Sequence, residues 1–228
     1  MTGHSRDRGA VSLGVRTHSA HGLVEGGWAT YVVLAERISE PSILFRGRMQ
    51  LCDSGIEGSE QPFHHAALMD FKSGEAFIER CRESSQDLAG RALEEIICSH
   101  GAPKGCCVLT GPARPLPPLR AILASHGLQH AAEREFYREA VRDAAVRNGI
   151  ATKMVREKDL PTLAEQLPGT EASRRETLGA YGKLVGSPWG QDEKFAATAA
   201  WIGLNAPGGL ARQPHRAHDG AQEHCRDR

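Results

Sequence analysis

The hydrophobic period of this chain changes once, and that change limits what it can fold into. Up to Leu51 the apolar residues alternate with small or polar ones; beyond Ser73 they recur mostly at helical spacing. Val11, Leu13 and Val15 alternate with Ser12, Gly14 and Arg16, the period-two pattern of a half-buried strand over 11–16. Trp28, Thr30, Tyr31, Val32 and Val33 are strong strand formers and predict a second strand over 28–35. A third spans 42–51, with Ile43, Phe45, Gly47, Met49 and Leu51 on one expected face. Strands following one another this closely predict an antiparallel meander.

The helical part starts after an irregular stretch, 53–70, that contains Gln61-Pro62-Phe63-His64-His65. Its two histidines read either as solvated residues of a turn anchored by Phe63 or as part of an active-site lid. Ser73 is the expected N-cap of a long helix that buries Phe77, Cys81, Leu88, Ala92, Leu93 and Ile96 and ends at Gly101. The apolar run 106–110 predicts a buried fourth strand, and Pro115-Leu116-Pro117-Pro118 leads into a short helix over 119–125. A longer helix follows from 129 to 148, then a fifth strand over 150–155 and helices near 159–166, 173–184 and 191–204. Trp189, after Pro188, is expected to pin the last helix.

Composition narrows the function classes. Lysine plus arginine equals aspartate plus glutamate, 28 each, so no overall basic field draws the chain to nucleic acid, and any such contact must be local. No run of about 18 apolar residues predicts a membrane span, and the N-terminus has no apolar core of a secretory signal. Six cysteines without a CxxC pair fit a reducing cytoplasm; Cys81, Cys98, Cys106 and Cys107 are expected to be buried thiols, the last two facing opposite ways in one strand. Residues 1–9 and 206–228 carry almost no large apolar side chains and are expected to be tails around a single domain, 10–205.

Three strands, helix, strand, helix, strand, helix is an order that resembles the ribonuclease H-like fold: an α/β mixed sheet of three antiparallel and two parallel strands flanked by helices. The helical pair after the fourth strand is similar to the Holliday-junction resolvase branch. The resemblance implies carboxylates at the ends of strands one and four and at the start of the last helix, holding two divalent ions that stabilise the attacking and leaving phosphate oxygens. In this sequence the first position matches Arg16, the second matches Thr110-Gly111, and only the third is acidic, with Asp192 and Glu193.

The fold would bring three groups to one end of the sheet: Arg16 and His18; Thr110 with Ser125, His126, His130 and Glu133; and Gln191, Asp192 and Lys194. Arg16, His18, Thr110, Gln191 and Lys194 are the candidate ligand contacts, suited to a phosphate-bearing ligand or nucleic acid. His126, His130, Glu133 and Asp192 are the candidates for proton transfer. His126, His130 and Glu133 stand at i, i+4 and i+7, one helix face if the helix runs through Gly127. They could hold a divalent metal such as zinc or manganese, with Asp192 or His18 as a fourth ligand. Three readings follow: a phosphate-ligand domain with a remodelled site, an inactive scaffold for protein contacts, and a metal-dependent small-molecule hydrolase. A structural Arg16–Asp192 pair and a ligand clamp at Arg16 both remain open.

Overall fold

The computed structural model describes residues 9–19, 26–37, 40–112 and 115–205. The expected tails, apart from Gly9, lie outside the described residues. The first strand, β1 (Val11–His18), pairs antiparallel with β2 (Trp28–Ala35), and β2 pairs antiparallel with β3 (Ser42–Gln50). On its other edge β1 pairs in parallel with β4 (Gly105–Thr110), which pairs in parallel with β5 (Thr152–Arg156). The sheet order is β3-β2-β1-β4-β5, and β2 alone runs against the rest. That is the ribonuclease H-like fold, with β1 central and buried on both faces.

Strand alternation splits the apolar residues into two cores. Leu13, Val15, Val33, Cys106 and Val108 pack with helices α1 (Pro62–Ala66), α2 (Phe71–His100) and α4 (His126–Arg147). Val32, Leu34, Cys107 and Leu109 pack on the opposite face, mainly with α7 (Gln191–Leu204) and Tyr181 of α6 (Glu171–Val185). Cys106 and Cys107 thus face opposite ways, and burial pushes both thiols well above their ordinary pKa. Short helices α3 (Leu119–Leu123) and α5 (Leu160–Ala164) complete the chain. No described helix is long and apolar enough to cross a membrane.

Helix α7 lies unusually close to β1. A Cβ on Gly14 would fall 1.9 Å from the Ala196 carbonyl oxygen and 2.5 Å from the Ala200 nitrogen. One on Gly203 would fall 2.3 Å from the Ser12 hydroxyl. Alternate β1 residues Ser12, Gly14 and Arg16 share one face, so α7 is seated on them by Gly203, then by Ala196 and Ala200. The same register carries Asp192, one turn before Ala196, to Arg16.

Several boundaries differ from the sequence expectation. β1 continues past Arg16 because Thr17 and His18 still pair with Ala29 and Trp28, and Gly27 N–H closes the hairpin on the His18 carbonyl at 2.8 Å. β3 bulges near Leu44, where Leu34 pairs with Ile43 but Val33 with Phe45. The extra residue turns Ile43 to the α7 side while Phe45 packs by Tyr31, so the expected single face is broken. Asp70, not Ser73, caps α2, its carboxylate accepting the Ser73 N–H at 3.1 Å. Gly127 does not interrupt α4, which starts at His126, and Pro62–Ala66 is helical rather than loop. Trp189 pins the approach to α7 as expected: its indole N–H donates to the Leu178 carbonyl at 2.8 Å and its ring lies on Gly182.

Gly14→Ala should cost about 3 kcal/mol or more, because the clash is with backbone that cannot swing aside. Gly90→Ala, in the open interior of α2 with nothing within 4 Å, should instead stabilise by about 0.5–1 kcal/mol. Urea unfolding of both variants checks the pair; a neutral Gly14→Ala would mean that α7 is not seated on β1 as described.

Candidate functional site

The polar end of the sheet is organised around one guanidinium. Arg16 Nε donates to Glu157 Oε1 at 2.8 Å and Nη2 donates to Glu157 Oε2 at 3.0 Å, a two-point grip on one carboxylate. Its Nη1 donates to Asp192 Oδ1. Glu157 opens the 3₁₀ turn that directly follows β5, and Asp192 sits in the first turn of α7. Burial draws the Arg16 pKa down, but the hydrogen bonds it donates to Glu157 and the charges of both carboxylates outweigh it and hold the pKa above its ordinary value. The side chains of Arg16, Glu157 and Asp192 are 23%, 31% and 35% exposed, so this is a half-buried ionic knot rather than a surface pair.

His18 lies beside the knot without joining it. Its Nε2 is 3.6 Å from Asp192 Oδ2, too far for a hydrogen bond. Burial lowers its pKa, Arg16 and Arg48 add to that effect, and Asp192 opposes it, so the ring is neutral at pH 7. It stacks on Trp28 with centroids 3.8 Å apart, while Arg48 lies 3.6 Å from the same centroid. Two groups that close cannot share a side, so both faces of the indole are covered. Beyond Trp28 opens a cleft of roughly 470 Å³ walled by Thr30, Arg46, Arg48, Pro188, Gly190 and Asp192. Arg46 donates to the Ser187 carbonyl at 2.6 Å, and neither Arg46 nor Arg48 is ion-paired to a described carboxylate. Glu193 is occupied in capping α7, accepting the Gly190 N–H at 2.7 Å.

The second expected group forms a separate cluster. His126 and His130, one turn apart on α4, meet His64 of α1, with ring centroids 4.4–4.9 Å apart in every pairing. Glu133 does not stand beside them as an outward ligand. Its side chain is fully buried, and its Oε1 accepts the Nδ1–H of His64 at 2.7 Å and the His64 backbone N–H at 3.3 Å. Phe63, edge-on to Phe136 at 5.9 Å, fastens α1 to α4 and so sets His64 in place.

The structure therefore brings Arg16, His18 and Asp192 together, and His126, His130 and Glu133 together, but does not join the two sets. Eight residues of α4 separate His130 from Arg138, whose guanidinium reaches Gly111 at the end of β4, about 12 Å along the helix. Asp192 and His18 are thus not fourth ligands to the histidines: Asp192 is held by Arg16 and His18 by Trp28. Thr110 is buried at the end of β4, paired with Arg156. Gln191 and Lys194 are exposed, and among the described residues neither joins the knot or the cleft. The cations at the cleft are Arg46 and Arg48 on β3 rather than Lys194. Sequence reasoning passed over these two and Glu157, and read His64 only as a turn or lid residue. An acid just past the carboxyl end of a parallel strand was the available signal for Glu157; Pro62-Phe63 ahead of two histidines was the signal for His64.

No protein-family model and no curated protein sequence matches the chain. Solved structures similar to it include RuvC from Thermus thermophilus in complex with a Holliday-junction substrate, 11% identical over 86% of this chain and 92% of that one, with a TM-score of 0.48, and Thermus thermophilus RuvC, 11% identical over 85% and 93%, with a TM-score of 0.47.

Arg16→Met should destabilise the fold by about 2–3 kcal/mol, somewhat less than a fully buried pair because all three partners keep some solvent. Adding Glu157→Gln and Asp192→Asn should recover most of that loss, since two facing carboxylates are then no longer stranded. Chemical denaturation of the single, double and triple variants measures the coupling; additive effects would show that the knot carries no net energy.

Proposed function

We propose that this chain is a ribonuclease H-like domain that binds a phosphate-bearing ligand, a nucleic-acid strand or a nucleotide, without cutting it by two-metal chemistry. The observation that carries this reading is the position of Arg16. It stands on the central strand where the fold's nucleases hold a metal-binding carboxylate, and it engages both Glu157 and Asp192. A fixed cation there would repel a divalent ion, and the two acids that could have received one already hold its guanidinium. The end of β4 offers Thr110-Gly111, which adds no acid.

Binding falls to the adjacent cleft. Arg46 and Arg48 face it from alternate positions of β3, and guanidinium groups engage phosphate oxygens by paired N–H donors. With Asp192 bonded to Arg16 and Glu193 capping α7, neither arginine is paired to a carboxylate of the cleft wall. The indole of Trp28, covered on both faces, is a rigid wall and not a stacking platform for a base. Because the chain has no net charge, the contact is confined to this patch, and its salt dependence should reflect only about two phosphates. The scaffold reading draws on the same closed knot, but it assigns no role to Arg46 and Arg48.

Fluorescence anisotropy with labelled single-stranded, duplex and branched DNA and RNA, and with nucleotides, separates the two. Arg46→Glu with Arg48→Glu should weaken binding about tenfold or more, consistent with the loss of two charge-assisted contacts. Mg²⁺ should give no cleavage of any of these substrates. A wild-type chain that binds none of them would favour the scaffold. Cleavage abolished by Asp192→Asn would overturn the loss of two-metal chemistry.

A further inference from the structure

We propose that His64, His126 and His130 form a site for a single divalent transition-metal ion of the zinc, cobalt and nickel kind, with Glu133 orienting His64 from behind. This site is independent of the phosphate-binding cleft and would stand if that reading failed. One candidate ligand atom from each of the three rings lies within 4.8 Å of the others. Tetrahedral zinc with bonds near 2.0–2.1 Å needs nitrogens about 3.3 Å apart, a contraction that small χ rotations supply. Two of the rings come from one helix face, His126 and His130 at i and i+4. The third arrives from a separate helix 62 residues earlier in the chain, so the meeting is a product of the fold and not of local spacing.

A cluster of histidines is most often an exposed polar face. Glu133 is what sets this one apart. It has no solvent exposure, yet it takes both the ring and the backbone N–H of His64. That bond fixes the His64 proton on Nδ1 and leaves the Nε2 lone pair as the ring's remaining function. Nε2 is buried and has no hydrogen-bond partner among the described residues, so its lone pair is available to an ion. A carboxylate behind a metal-binding imidazole is the usual means of holding its tautomer and raising its basicity. Among the described residues the second Glu133 oxygen has no hydrogen bond either, and it lies 3.8 Å from His130 Nδ1, within reach of giving that ring the same support.

The ligand set decides the class of ion. Three neutral imidazoles suit zinc, cobalt, nickel or copper and give nothing to magnesium or calcium, which need oxygen ligands. His126 is exposed at the start of α4, so the fourth position faces solvent and would be filled by water, the open arrangement of three-ligand sites.

The full chain, stripped of metal with a chelator, should bind one equivalent of Co²⁺ with the visible absorption of a tetrahedral site, and Zn²⁺ should displace it while Mg²⁺ should not. His126→Ala and His130→Ala should each weaken binding by about a hundredfold or more, the loss of one of three protein ligands. Glu133→Gln should weaken it by about 10–100-fold. Zn²⁺ should raise the melting temperature of the wild type and leave that of His126→Ala unchanged; because His126 is exposed, the metal-free forms of both should melt alike. Three histidines near the C-terminus are the competing site, so the variant with His215, His218 and His224 all changed to Ala should bind Co²⁺ as the wild type does. The site is overturned if the wild type shows no tetrahedral Co²⁺ spectrum, or if binding survives His126→Ala and disappears in that C-terminal variant.

Discussion

The close approach of α7 to β1 is the constraint on which the polar end of the sheet depends. It requires a residue without a side chain at position 14, because the helix backbone occupies the space a Cβ would need. With Gly14 set against Ala196 and Ala200, and Gly203 against Ser12, the register of helix on strand is fixed at two points. Two residues further along β1 and one turn back along α7, Arg16 and Asp192 must then meet. The small-residue face of α7 thus has an electrostatic consequence, since a larger side chain at this contact would lift Asp192 off the guanidinium. Glu157 reaches the same point from the end of β5, across the end of β4, which lies between β5 and β1.

A cation therefore stands at the polar end of the sheet, held by one carboxylate just past β5 and by another in the first turn of α7. A second polar cluster is built on α4. Its first turns carry His126, His130 and Glu133 away from the sheet end and toward α1, where His64 completes a cluster with a buried carboxylate behind it. One chain thus has a closed ionic centre beside an arginine-lined cleft and, along α4, a set of imidazoles suited to a different class of ion.

Much of the fold was legible from the order of hydrophobic periods, because strand alternation and helical recurrence report which side of an element is buried. The bulge near Leu44 was not, since one extra residue in a strand looks the same in sequence whether it is paired or looped out; it turned Ile43 to the other face. Within the site, Arg16 and Asp192 could be paired on paper because the fold places a strand end and a helix start together. Glu157 could not be weighed in the same way, lying in what looked like an ordinary connection. His64 was harder still. Its partner Glu133 is 69 residues away, and the segment around it has too few apolar residues to announce a helix until α4 is present to receive Phe63. The i, i+4, i+7 spacing on α4 pointed to the right helix face but misassigned Glu133, whose burial depends on α1 covering it.

Paramagnetic broadening by Mn²⁺, read residue by residue in amide NMR spectra, tests most directly whether Arg16 has taken the place of the ions. In the wild-type chain, excess Mn²⁺ should leave the amides of Thr17, Glu157 and Asp192 sharp, because both carboxylates are occupied by a guanidinium. In Arg16→Met the same amides should broaden, since two freed carboxylates then face each other as oxygen ligands. Selective broadening at Glu157 and Asp192 in the wild type, saturating as a bound site does, would contradict this and return the sheet end to metal chemistry.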